Sequence, residues 1–382
     1  MTPAAGYRGY PSDNALNLVR LALAATVIVA HAYYVLGVGN GPVIRGENIG
    51  GYAVFGFFAI SGYLVTHSRL ARPLGQYLVH RAARLLPAFW VCLLVMVVGF
   101  GPLGYFVENA TLDGYFSTAT QPLRYLTSNW LLDVTSYDIA GSPRSVPYPG
   151  VWNGSIWTLW YEFVCYLLIA ALLSLAVARR RAWLVVGAAW AAATATHWLW
   201  SHGLARFVGD DGQIANLLKL APIFLGGALL RLLPWRVRYR WWIAVPSLGV
   251  FVAAVWLTGT TGAQVTAPLL AYVLLWLGLV VPRVAWFQRN DLSYGVYIYA
   301  FPVQQTLVLL GVAGTSVVSH SVAALALVVP FALASWFLVE RPVMRRSRAS
   351  DARPKPTDEP VVTQGGAAND RGLQRDAVPV ER

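Results

Sequence analysis

The chain has 382 residues, 57% of them hydrophobic and only 12% charged, with a formal net charge of +12 at pH 7. A soluble protein carries about 25% charged residues, and no polar linker interrupts this chain before Arg341. These figures exclude a soluble enzyme, a disordered chain and a nucleic-acid binder, and they predict an all-α polytopic membrane protein.

The opening residues lack the short apolar core and cleavage site of a secretory signal, so the first apolar run is expected to remain as an anchor. A spanning helix needs about 20 apolar residues. Ten segments approach that length: 16–36, 52–67, 83–106, 155–178, 182–200, 215–233, 241–259, 264–281, 292–311 and 317–339. The second is short and glycine-bearing, which allows a broken or re-entrant segment. Residues 107–154 form a long loop rich in Tyr, Asn, Ser and Pro, and a loop of that length reads as a lid or binding element. The transmembrane domain is expected over 1–340. From 341 to 382 the chain turns polar and reads as a disordered cytoplasmic tail. Cys92 and Cys165 lie in apolar runs and make neither a redox pair nor a metal spacing.

The loops orient these segments. With the N-terminus inside, ten crossings put Arg8, Arg20, Arg69, Arg72, Arg81 and Arg84 on the inner side. Arg179, Arg180, Arg181, Arg231, Arg236, Arg238 and Arg240 follow there, then Arg283, Arg289, Arg341, Arg345, Arg346 and Arg348. The outer side holds Arg45, Arg124, Arg144 and Arg206, together with Glu47, Glu108, Asp113, Asp133, Asp138, Asp210 and Asp211. Nineteen basic residues against four is a positive-inside pattern. It predicts both termini in the cytoplasm and explains the basic excess by topology.

Ionisable groups within apolar segments are costly and point to function. Arg20 and His31 share one stripe of the first helix, because eleven residues turn about 20° past three full turns and rise roughly 16 Å. Imidazole suits proton transfer near neutral pH, although a packing histidine with a snorkelling arginine fits the spacing as well. Arg81 and Arg84 are three residues apart on one helix face, which suits a phosphate or pyrophosphate or a plain inner anchor. Glu162, with Tyr166 one turn on, is an acid, a base, a partner that orients His31, or half of a structural ion pair. Lys219 reads as a snorkelling side chain, and Glu340 with Arg341 as an interfacial anchor. Ser61 fits a hydroxyl bonded back to its own helix. No phosphate-binding loop, nucleophile elbow or metal motif is present, and the remaining histidines lie at loops and helix ends without metal spacing.

At these residues the sequence resembles acyltransferase family 3, the bacterial integral-membrane acyltransferases that modify sugars. The similarity runs from Asn17 to about Arg346. "NLVRLALAATVIVAHA" resembles the family's first helix, with Arg20 and His31. "GFFAISGYLVT" is similar to its phenylalanine-serine-glycine motif at Ser61, and "RAARLLPAFWV" to its Arg-x-x-Arg-x-x-Pro motif at Arg81, Arg84 and Pro87. "SIWTLWYEFVCYLL" resembles the motif carrying Trp157, Leu159, Glu162 and Tyr166. "LSYGVYIYAFPVQQ", with Tyr297, and "LVERPVMRR" resemble the closing pair. Two positions depart: Ala300 stands where many members carry His, and Thr158 replaces the usual Ser.

The resemblance implies O-acylation across the bacterial inner membrane, from a cytoplasmic acyl-coenzyme A, most often acetyl-coenzyme A, to a hydroxyl of an envelope carbohydrate or glycolipid. It implies His31, Glu162 and Arg20 as catalytic residues. Arg81, Arg84 and Arg20 would hold the donor, and Ser61, Trp157, Tyr166 and Tyr297 would serve the substrate or the structure, with no metal. Without the fused esterase-like domain of some members, the chain is expected to acylate its acceptor directly or to hand the group to a separate envelope transferase. A transporter or flippase for a lipid-linked sugar or small anion is the alternative that ten helices with buried charges also allow.

Overall fold

The computed structural model describes residues 10–174, 180–312 and 316–351. Arg8, Arg179, the end of the fourth expected span and residues 352–382 lie outside them. Helices dominate, as they must where hydrocarbon leaves the backbone only its own chain to bond with. They are α1 (Leu16–Val35), α2 (Ile49–Ala71), α3 (Leu74–Asn109), α4 (Thr158–Leu172), α5 (Ala182–Leu199), α6 (Gly212–Leu232), α7 (Trp241–Thr258), α8 (Ala267–Val280), α9 (Ser293–Leu309) and α10 (Val317–Ala334). Among the described residues, six are long and apolar enough to cross a membrane: α1, α2, α3, α6, α7, and α10 with its continuation; α4 and α8 are shorter apolar helices.

Three elements differ from their expected form. The second segment is one unbroken helix of 23 residues. Its glycines serve contact rather than breakage: a Cβ at Gly62 would lie 1.9 Å from the Phe224 carbonyl oxygen, and one at Gly227 of α6 would lie 2.0 Å from that of Ala59. Small residues let two backbones approach this closely. Next, α3 begins nine residues early, so Arg81 and Arg84 stand within it rather than at its start. Finally, the chain stays helical over Arg341–Asp351, where a polar tail was expected to begin. Met344 packs on the core there and ties the segment down.

Both long helices contain one wide turn, at Met96–Phe100 in α3 and at Ser335–Glu340 beyond α10. Pro102 and Pro342 explain them. Each removes the N–H that would bond four residues back, to a carbonyl inside the wide turn.

Residues 107–154 are a packed roof. Trp152 is fully buried and Asn153 nearly so. Asn153 Nδ2 donates to the Ile298 carbonyl at 2.8 Å, and Gln305 Nε2 donates to those of Tyr148 and Val151 at 2.7 and 2.8 Å. At the same end a two-stranded hairpin pairs Val43–Ile44 with Glu47–Asn48. Asn48 caps α2 by accepting from the Gly51 N–H at 2.8 Å, which places Glu47 at the start of that helix.

Candidate active site

Five elements converge on one cavity of about 90 Å³, lined by Arg20 of α1, Ser61 of α2, Arg81 and Arg84 of α3, Glu162 and Tyr166 of α4, and Tyr294 and Tyr297 of α9. Spacing i, i+4 puts Glu162 and Tyr166 on one helix face. The Tyr166 hydroxyl donates to Glu162 Oε1 at 2.6 Å, and Ser61 Oγ donates to the same oxygen at 2.8 Å. Ser61 therefore crosses to another helix instead of bonding back, and Glu162 is held by hydroxyls instead of an arginine.

The arginines divide. Asp291, in the link before α9, accepts from Arg20 and, at 2.7 Å, from Arg84. Arg84 also reaches Glu340 at 2.8 Å, and Ser335 Oγ donates to Glu340 at 2.9 Å. Glu340 is thus a buried partner rather than an interfacial anchor. Burial raises the Asp291 pKa, but the Arg20 and Arg84 guanidiniums and the Ser293 hydroxyl and N–H outweigh it and hold it down to about 2. Arg81 enters no ion pair among the described residues. Its guanidinium lies 5.7 Å from the centre of the Tyr166 ring, and its buried Nε has no hydrogen-bond partner.

His31 occupies a second cavity, of about 110 Å³, which it lines with Tyr34, Glu47, Trp157, Lys219 and Tyr297. Its ring stands edge-on to Phe301 at 5.0 Å, and its buried Nδ1 has no hydrogen-bond partner. The structure does not bring Glu162 to His31; the carboxylate lies in the first cavity. Lys219 does not snorkel, since its ammonium pairs with Glu47 at 2.8 Å. Buried histidines also occur at His80, His197 and His320 within helices, and none of the three lines this cavity.

Val54, Thr158 and Tyr297 line both cavities. The Thr158 and Tyr297 hydroxyls share a 2.6 Å hydrogen bond, so the pair forms part of a common wall. A third, open cavity of about 770 Å³ carries Tyr137, Trp160, Tyr161, Asp210 and Asp211 and shares Gly154 and Trp157 with the second. Aromatic faces beside carboxylates and amides suit a sugar. Among the described residues no group of three or more His, Cys, Asp or Glu side chains is placed to hold a metal.

Sequence reasoning missed Asp291, the Glu47–Lys219 pair and the Thr158–Tyr297 bond. Asp291 carried one readable signal, an acidic residue two positions before a helix start; its side chain accepts from the Ser293 N–H at 3.2 Å.

A family model described as "Acyltransferase domain" matches residues 13–339. The chain is 29% identical over 370 residues to Nodulation protein 10 of Rhizobium leguminosarum bv. viciae, covering 89% of this chain and 95% of that one. It is 28% identical over 309 residues to an O-acetyl transferase of Shigella phage Sf6, covering 78% of this chain and 86% of the relative. No solved structure matches it significantly.

Proposed function

The chain belongs to the acyltransferase domain family, and on that premise we propose that it moves an acyl group, acetyl foremost, from cytoplasmic acyl-coenzyme A to a hydroxyl of an envelope carbohydrate or glycolipid at the inner membrane. It is an O-acyltransferase, and the transporter reading falls with that membership.

The observation that carries the reading is the succession of three cavities with shared walls: one lined by arginines, one by the buried His31, one by aromatic rings and carboxylates. Guanidinium suits the donor's phosphates. Arg81, which enters no ion pair among the described residues, is their first ligand, and Arg20 and Arg84, both paired with Asp291, border the same chamber. Glu162, bonded to Ser61 and Tyr166, shapes the passage toward the common wall. Beyond it, the acceptor oxygen attacks the thioester carbon while His31 takes the hydroxyl proton and returns it to the departing sulfur. The acceptor sugar lies against Trp157 and Trp160.

Inverted membrane vesicles given labelled acetyl-coenzyme A should acetylate a glycolipid fraction. Right-side-out vesicles given the same donor should not. His31→Gln keeps size and hydrogen bonding but cannot serve as the base, so it should lose about 10²- to 10⁴-fold in rate at normal membrane levels. Near-normal transfer by that variant would make His31 structural and pass the base role to Glu162.

A further inference from the structure

Lys219 is one of only two lysines in a chain with 29 lysines and arginines together. Among the described residues lining the His31 cavity, it is the sole lysine or arginine. Two independent features hold it there. From the side, Glu47 Oε2 accepts from its ammonium at 2.8 Å, and Glu47 is itself fixed by the hairpin and the capped start of α2. From the backbone, Pro222 lacks the N–H that would bond the Leu218 carbonyl four residues back. The fully buried Gln264 amide donates to that carbonyl at 3.2 Å and to the Lys219 carbonyl at 3.0 Å. The helix is thus pinned at the residue whose side chain faces His31's cavity.

Acyl transfer develops negative charge on the thioester oxygen, and a preorganised donor at that point is commonly the largest single contribution to the rate. The geometry points to Lys219 as a catalytic residue, the ammonium that stabilises this oxyanion, with Glu47 as its positioning residue. The inference rests on His31's cavity being the place of transfer. The acceptor oxygen bonds to the carbonyl carbon as its proton passes to His31, and the carbonyl electron pair moves onto the oxygen beside Lys219. When that pair returns, the carbon–sulfur bond breaks and the thiolate takes the proton back from His31. An ester and free coenzyme A result, and the ammonium keeps all three protons. One of them serves Glu47, leaving two to donate to the oxyanion.

The test is thiol release from acetyl-coenzyme A by the full-length protein in lipid nanodiscs, with glycerol as the acceptor. Lys219→Met should lower kcat by about 10²- to 10³-fold, the usual loss for one oxyanion donor, with the donor KM unchanged. Lys219→Arg should recover part of the rate. The neutral pair Glu47→Gln with Lys219→Gln keeps a hydrogen bond between hairpin and α6 but removes the cation, so it should stay as slow as Lys219→Met. Wild-type activity in the neutral pair, or a loss confined to KM, would make the ion pair structural and overturn the proposal. Absence of His31-dependent thiol release from the wild type would instead overturn the acyl-transfer reading, and this inference with it.

Discussion

Arg81 and Arg84 stand one turn apart on α3, and their neighbours give them different work. Arg84 lies between Asp291 and Glu340, and removing one partner from a buried ion cluster costs about 3–5 kcal/mol. Arg84→Ala should therefore lower the melting temperature in detergent and reduce the amount recovered from membranes. Arg81→Ala should melt near the wild type but lose the upward shift that acetyl-coenzyme A gives. Equal loss of that shift at unchanged stability in both variants would return them to a single phosphate-binding pair. Asp291 itself is not a physiological pH switch. With its pKa lowered from 3.8 to about 2, Asp291 contributes stability that is intact above about pH 4 and lost only as the pH falls toward 2. Arg20, His31, Arg81 and Glu162 were legible because a charged or polar residue stands out in an apolar run. Asp291 was not, because a carboxylate in a short link reads as solvated. Its partner Arg20 lies 271 positions away, and no local pattern joins the two.

Between elements, the α2–α6 crossing holds Ser61 and Lys219 in their cavities, and its closeness depends on two glycines. A Cβ at Gly227 would lie 2.0 Å from the Ala59 carbonyl oxygen, which belongs to a backbone and cannot swing aside. Overpacking of this kind costs about 1–3 kcal/mol. Gly227→Ala should lower the melting temperature and the transfer rate together. Gly249→Ala in α7, with nothing within 4 Å of its added Cβ, should match the wild type or melt slightly higher, since alanine favours helix over glycine. Equal behaviour of the two variants would mean that the crossing tolerates a wider spacing. The apolar runs were readable as helices because their length and composition leave the backbone no other structure in a membrane. The glycines of the second run misled because a contact glycine and a breaking glycine look alike until the facing helix is known. Residues 107–154 stood out by length, but their packing rests on bonds such as Asn153 to Ile298 and Gln305 to Val151, which only the folded chain brings together.

Across the whole molecule, charge and cavities share one polarity. The cavity with Arg20, Arg81 and Arg84 adjoins the His31 cavity, which adjoins the open aromatic one. Nineteen of the basic residues assigned to loops and helix ends fall on the arginine side of the ten-span scheme, against four on the other. An excess of arginine marks the cytoplasmic side, and coenzyme A is a polyanion that does not cross bilayers and is made in the cytoplasm. Both arguments predict the arginine cavity inside and the aromatic cavity outside. Reporter fusions after Arg181 and after Asp211 test this, because α5 separates the two points. The first should report the cytoplasm and the second the outer side. Reversal at both sites would open the arginine cavity to a compartment without acyl-coenzyme A, and the donor would then have to be an acyl carrier of the outer side. Agreement at one site alone would remove α5 as a span and turn every later loop over. The cavity arginines of α1 and α3, which precede it, would keep their side, while Lys219 and Glu47 pair across α2 and α6 and so require α6 to start where α2 starts. That pairing ties the later helices to the earlier ones and predicts opposite sides for the two fusions, while the arginine excess predicts which of them is cytoplasmic.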